Sequence, residues 1–243
     1  MRPVLRRDDF FRIMAKKKKE ENKDLLENPE VLAETLEGAE HWIEKHPKLV
    51  SGIAIGLLLI VGGYFGFQYY IDKQNVEANN EMFQAVFYYE SDSLDLALNG
   101  DGNNLGFIDI TEEYGMTKAG NLANFYAGVC FLKQGKFKPA ILYLEDFSSS
   151  DLLVQARAYS LIGDAHMELE QYEDAVSFYN KASSYKPNKF FTPTYLMKAA
   201  LAYEKLNDTT KAIGVYDKII NEYFDSSEYQ KARKFKAKLE SNS

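Results

Sequence analysis

The sequence predicts an all-α protein, with a single N-terminal transmembrane helix followed by an α-solenoid of stacked helix pairs. Three observations carry that expectation. Residues 49–71 (LVSGIAIGLLLIVGGYFGFQYYI) are twenty-three in a row without a charge. Beyond them Gly128, Gly163 and Ala200 are each followed twelve residues later by alanine, at Ala140, Ala175 and Ala212. A spacing that recurs at a period of this length marks stacked supersecondary units. The charge is also uneven: residues 1–48 hold eleven Lys/Arg and eleven Asp/Glu, whereas residues 72–243 hold eighteen and twenty-five. A large acidic region argues against a nucleic-acid partner.

The N-terminal tail, residues 1–48, contains a lysine run at 16–19 and a stretch beginning near Pro29, whose fixed φ suits a first helical turn. Leu32, Leu36, Ala39 and Ile43 then recur at helical spacing, which predicts a short amphipathic helix. It carries five Glu and little Lys, a poor match to an anionic lipid surface. A mobile tether and a contact helix both fit this composition. Met14-Ala15 followed by four lysines has the form of a chain start, so residues 1–13 are expected to precede the native N-terminus.

At about 1.5 Å per residue, a helix over residues 49–71 spans the roughly 30 Å hydrocarbon layer. The run begins too late and is too long for a cleaved signal peptide, so it reads as a retained anchor. Gly52, Gly56, Gly63 and Gly66 fall within about 80° of one another on such a helix and form one small-residue stripe, a face on which another helix can approach closely. Tyr64, Tyr69 and Tyr70 crowd its C-terminal half and Trp42 precedes its start, as expected of rings at the headgroup level. Basic residues near the span favour the N-terminal side (Lys45, Lys48 and the run at 16–19) over the C-terminal side (Lys73), which places the N-terminus in the cytoplasm.

Residues 72–120 are expected to form a divergent helical pair that begins the solenoid. Residues 76–98 are helical in pattern, and the segment NGDGNN at 99–104 forms a turn. A further helix is expected over residues 107–114. The remainder, residues 121–243, divides into three repeats and a capping helix. In the middle repeat Tyr159, Ile162, Gly163, His166, Ala175, Tyr179, Ala182 and Pro187 occupy the positions of the signature W-x2-L-G-x2-Y, A-x3-F and a closing proline, so the array resembles tetratricopeptide repeats (TPRs). The first copy reads Asn124, Ala127, Gly128, Phe131, Ala140, Leu144 and Phe147. The third reads Leu196, Ala199, Ala200, Tyr203, Ala212, Tyr216 and Ile219. Small residues at Gly128, Ala140, Gly163, Ala175, Ala182, Ala200 and Ala212 let antiparallel helices approach while aromatic rings fill the gaps. Ala232, Phe235 and Leu239 share one face of the last helix and lysines cover the rest, as a solvent-facing cap requires.

His41, His46 and His166 are scattered, and no nucleophile triad, phosphate loop or metal-ligand cluster accompanies them. The turn at 95–104 lacks the alternating ligands and terminal Glu of a calcium loop. Cys130 is the only cysteine, which leaves no internal disulfide and no multi-cysteine metal site. No catalytic residue, cofactor site or metal site is expected, and the protein reads as a non-enzyme.

The TPR resemblance implies a partner groove lined by the second, fifth, ninth and twelfth positions of each first helix. Those positions are Leu122, Phe125, Val129 and Leu132; then Arg157, Ser160, Asp164 and Met167; then Thr194, Met197, Leu201 and Glu204. This surface is mainly apolar, and suits apolar segments of partners or clients unless neighbouring helices cover it. Phe125 and Val129 stand where the TPR domains that grip acidic chaperone tails carry Lys and Asn.

The order of parts, with an E-Y-x-x-S stretch at Glu222, Tyr223 and Ser226, resembles the YfgM-type inner-membrane TPR proteins. Similarity to Bacteroidetes members runs through residues 95–127 (DLALNGDGNNLGFIDITEEYGMTKAGNLANFYA) and Gly163-Asp164-Ala165. That resemblance implies an ancillary subunit of the SecYEG translocon, working beside a PpiD-type membrane-anchored prolyl isomerase and meeting secreted clients in the periplasm. The alternative is a TPR scaffold for outer-membrane biogenesis or cell-wall synthesis.

Overall fold

The structure is a computed structural model that describes residues 42–241. The expected positions Leu32, Leu36 and Ala39, the lysine run and residues 1–13 lie outside the described residues. All regular structure among the described residues is α-helical. The chain divides into two compact units, Met1–Phe67 and Gln68–Ser243. Helix α1 (Pro47–Glu90) contributes to both.

In the first unit no described residue covers α1. Leu58, Leu59 and Ile60 are 70%, 71% and 70% exposed, and no atom of another described residue lies within 4 Å of where a Cβ would stand on Gly52, Gly56, Gly63 or Gly66. A bare apolar surface of this extent is unfavourable in water and ordinary in lipid. Of the described helices, α1 alone is long and apolar enough to cross a membrane.

The second unit continues with α2 (Leu94–Asn99), α3 (Phe107–Glu113), α4 (Lys118–Lys133), α5 (Phe137–Asp146) and α6 (Val154–Glu168). It closes with α7 (Tyr172–Ser184), α8 (Thr192–Lys205), α9 (Thr209–Glu222) and α10 (Tyr229–Ser241). From α3 onward each helix packs chiefly on its neighbours in the chain, so the array is a helical solenoid in which contacts pass from one pair to the next.

The corners within pairs share one geometry. Gly135, Glu170 and Asn207 have φ of 70°, 57° and 57°. In each corner the next residue donates its N–H five residues back: Lys136 to Phe131, Gln171 to His166 and Asp208 to Tyr203. Such bonds satisfy carbonyls left orphaned at the end of a helix. Asp92 repeats this turn, with φ of 57° and Ser93 N–H donating to the Tyr88 carbonyl.

The Asp92 corner corrects the expectation of one helix over residues 76–98. Helix α1 stops at Glu90 and α2 starts at Leu94. Aspartate tolerates the left-handed conformation better than most residues, so the chain turns there without a glycine or proline to announce it. A small residue lies seven positions before each of the four corners (Ala85, Gly128, Gly163, Ala200), and alanine lies five after (Ala97, Ala140, Ala175, Ala212). All six of these alanines are fully buried. The end of α1 and α2 therefore form a fourth, truncated helix pair at the start of the array.

The segment that truncates it is tied to α1. Asp101 accepts the Asn103 and Asn104 N–H groups at 2.8 Å each and the Tyr88 hydroxyl at 2.7 Å. These bonds, the Tyr88 hydroxyl foremost, hold its carboxyl well below the usual carboxylate range. At the next junction Asn75 accepts from Ala119 N–H at 3.0 Å and Thr117 from Gly120 N–H at 2.9 Å, which caps α4.

A Cβ on Gly163 would stand 2.6 Å from the Tyr179 ring, whereas one on Gly214 would meet nothing. Gly163→Val is therefore expected to destabilise the protein by about 1 to 3 kcal/mol. Gly214→Ala, in the exposed interior of α9, is expected to stabilise it by up to about 1 kcal/mol. Denaturant titration of the detergent-solubilised chain measures both, and equal effects at the two sites would contradict the packing. The depressed Asp101 carboxyl contributes stability that is complete above the ordinary value of 3.8 and is lost as pH falls through its folded value. Asp101→Ala should thus lower the melting temperature at neutral pH and bring it closer to the wild type in strong acid.

Candidate functional site

One opening in the repeat array lies between α6 and α8, which both pack on α7. It is a cleft of about 410 Å³, walled by Val154, Leu161, Phe191 and Tyr195, with Arg157 and Lys198 among its polar lining. Its apolar surface extends onto the turns that precede the two helices, where Leu152, Leu153 and Phe191 are exposed and Phe190 is 83% exposed. Asp151 holds one of these turns by accepting the N–H groups of Leu153 and Val154 at 2.8 and 3.0 Å, bonds that lower its carboxyl pKa. Asn188 holds the other, accepting from Phe190 and Phe191 at 3.1 and 2.8 Å.

The polar side of the cleft is built around Asp164. Lys198 Nζ donates to its two carboxylate oxygens at 2.9 and 2.7 Å and to Ser160 Oγ at 3.1 Å. The Tyr179 hydroxyl donates to Asp164 Oδ1 at 2.7 Å. Burial first, and then the Asp164 charge, push the Tyr179 phenol far up, so it stays a neutral donor. Lys198 is thus neutralised within the fold, while exposed Arg157 makes no ion pair with a described residue. Burial raises the Tyr195 phenol against the pull of the Arg157 guanidinium. The cleft therefore offers apolar walls, one neutral phenol and one guanidinium with unused donors.

Only two of the twelve expected groove residues, Arg157 and Ser160, line this cleft. Asp164 lies behind it as the anchor for Lys198. Phe125 rests on Phe147 with ring centroids 5.2 Å apart, and with Leu132 joins the cluster around Leu144 and Ile162. Val129 is buried, and Leu122 belongs instead to a separate cleft beside α1. Met167 packs against the cluster of Ala175 and Val176, and Met197 is buried with Leu196 and Ala200. Thr194 donates to Glu228 at 2.9 Å, and Glu204 accepts from the Tyr216 hydroxyl. Leu201 is exposed but lies away from the cleft lining.

The residues that sequence reasoning missed follow a simple rule. Tyr195 and Lys198 stand one position past the expected Thr194 and Met197, because the cleft takes the flank of α8 that turns toward α6. Phe191 and Leu153 come from the turns. Their signal was the paired aromatic Phe190-Phe191 and the dipeptide Leu152-Leu153, bulky apolar residues beside helix starts.

The small residues of the pairs are buried at Gly128, Ala140, Gly163, Ala175, Ala182, Ala200 and Ala212. His166 stacks on Phe178, with centroids 5.4 Å apart, and its Nδ1 lies 2.8 Å from Gln171 Oε1. Burial pushes the Cys130 thiol up to about 12. Among the described residues no group of three or more His, Cys, Asp or Glu is placed to hold a metal ion.

Asp164→Ala leaves the Tyr179 hydroxyl without its acceptor and the Lys198 ammonium without its counter-charge, and should cost about 1 to 3 kcal/mol. Asp164→Asn keeps one acceptor oxygen and should cost less. Chemical denaturation of the two variants checks the order, and the reverse order would contradict the role given to Asp164.

Comparison with known proteins agrees with this architecture. A tetratricopeptide-repeat family model matches residues 156–189 and a second one matches residues 195–226, the segments of α6–α7 and α8–α9. The chain is 29% identical over 120 residues to the "Uncharacterized protein ycf37" of Guillardia theta. The alignment covers 48% of this chain and 66% of that protein, just under two thirds of the relative's length. With the helix pairs and their shared corners, these matches establish a tetratricopeptide-repeat-containing chain, built on a fold that serves contact between proteins.

Proposed function

We propose that the protein is a non-enzymatic, membrane-anchored adaptor of protein export. In this reading the anchor lies in the inner membrane with the N-terminus in the cytoplasm, and the repeats lie in the periplasm. They work beside the SecYEG translocon and a PpiD-type prolyl isomerase and engage secreted chains as they emerge.

The observation that carries the proposal is the α6–α8 cleft on a chain that also holds an apolar helix able to cross a membrane. A chain leaving a translocon exposes apolar side chains before they find their own core. The walls of Val154, Leu161, Phe191 and Tyr195 match that chemistry, and the free donors of Arg157 can take a main-chain carbonyl or a carboxylate. The resemblance to YfgM-type proteins supports the choice of Sec machinery over other membrane assemblies.

A photo-crosslinking residue at Phe191, in the cleft, and another at Gly56, in α1, test the proposal in cells. Adducts of the Phe191 probe with a secreted precursor, and of the Gly56 probe with SecY or the isomerase, are expected. Adducts confined to wall synthases or barrel-assembly factors would overturn it. Orientation has its own check: Lys189 is exposed, and Lys189→Cys should react with a membrane-impermeant maleimide once the outer membrane is opened. Labelling only after lysis of the inner membrane would place the repeats in the cytosol.

A further inference from the structure

The turn between α3 and α4 is fixed against the stretch of α1 where the uncharged run ends. Thr117 donates both its N–H and its hydroxyl to the Tyr114 carbonyl, at 2.8 and 2.7 Å. Asn75 Oδ1 accepts from Ala119 N–H at 3.0 Å, which ties the start of α4 to α1 four residues past Ile71. From there α4 runs alongside α1, away from the uncharged run, until Lys133 meets Asp92 at 2.6 Å. At its near end the turn holds out Met116, 76% exposed. A cleft of about 300 Å³ opens beside it, lined by Tyr70, Ile71 and Gln74 of α1 together with Glu112, Glu113 and Met116.

Helix geometry sets the depth of this turn. Four residues of helix rise about 6 Å, and the headgroup layer on each side of the hydrocarbon core is about 5 to 7 Å thick. On the reading that α1 crosses a membrane, on which this inference rests, the uncharged run meets the edge of the core at Ile71. Asn75 and the turn it holds then lie at headgroup depth. A lone exposed methionine is ordinary on a protein in water. Met116 is different because Ile71 and Tyr70 join it to the apolar surface of the span, and the lipid that covers one reaches the other.

Charge selects the headgroup. Glu77, Glu112 and Glu113 form no ion pair with a described residue. Burial first, and then the charges of Glu77, Glu113 and Glu81, raise the Tyr114 phenol, as a negative field at this end of the array requires. The negative surface of an anionic bilayer repels such carboxylates. A zwitterionic headgroup instead carries its ammonium outermost, where carboxylates and the face of the Tyr70 ring attract it. We propose that the α3–α4 turn is a second membrane contact of the chain, with Met116 seated among the headgroups of a zwitterionic bilayer beside Tyr70 and Ile71.

Fluorescence quenching by spin-labelled lipid tests this on the full chain in phosphatidylcholine vesicles, with one introduced cysteine at a time carrying a bimane dye. The native Cys130 is fully buried and stays unlabelled. Probes at Leu58→Cys, within the span, and at Met116→Cys should both be quenched. One at Ser91→Cys, exposed and about 30 Å beyond Ile71, should not. Exchanging phosphatidylcholine for phosphatidylglycerol should reduce the Met116 quenching severalfold, and adding Glu112→Lys and Glu113→Lys should restore it. An unquenched Met116 probe beside a quenched Leu58 probe would overturn the contact. Met116 quenching that ignores the charge of the lipid would overturn the choice of headgroup. A Leu58 probe that escapes quenching would sink the membrane reading itself, and this contact with it.

Discussion

Close approach between the two helices of each pair is the constraint on which the second unit rests. At Gly128 the Leu144 side chain, and at Gly163 the Tyr179 ring, occupy the space a Cβ would need. At Ala85, Ala200 and their partners a single methyl is fully buried. With the axes this near, the aromatics one turn on meet across the pair, as Phe131 does with Tyr143 and His166 with Phe178. Dispersion between such surfaces is strong because nothing separates them. The corner that follows is then fixed by geometry, which is why four chemically different residues adopt one backbone turn at Asp92, Gly135, Glu170 and Asn207.

The cleft is a by-product of the same constraint. Each second helix is gripped by the first helix before it and the first helix after it, as α7 is by α6 and α8. The first helices are held apart by the helix between them, and the floor of the gap is the side of each that no second helix claims. Asp164 makes that floor coherent: it neutralises Lys198 and accepts a hydrogen bond from the Tyr179 hydroxyl, while Arg157 makes no ion pair with a described residue.

How much of this could be read from the sequence depended on whether a feature was local. The alternation of small residues and aromatics within a pair is local, and it located α4 to α9 directly. The long apolar helix was legible because a charge-free run of that length is long and apolar enough to cross a membrane. The truncated first pair was half visible: Ala85 and Ala97 obey the twelve-residue rule, but the corner residue is Asp92 and the loop after Asn99 interrupts the pattern. The cleft was legible only at Arg157 and Ser160. Which flank of α8 faces α6 is set by how pairs stack across the connecting turns, a relation between elements that no single helix period encodes. Phe125 and Leu132 illustrate this, since their positions suit a groove and their neighbours cover them.

The burial of Cys130 has a consequence for where the chain can live. A thiol reacts as its thiolate, and here the anion is suppressed by the same core that α4 shares with the end of α1. Sulfenic acid, glutathione adducts and mixed disulfides all require the exposed anion that this site denies. The Cys130 thiol of the folded chain is accordingly shielded from oxidants and disulfide exchange on either side of a membrane.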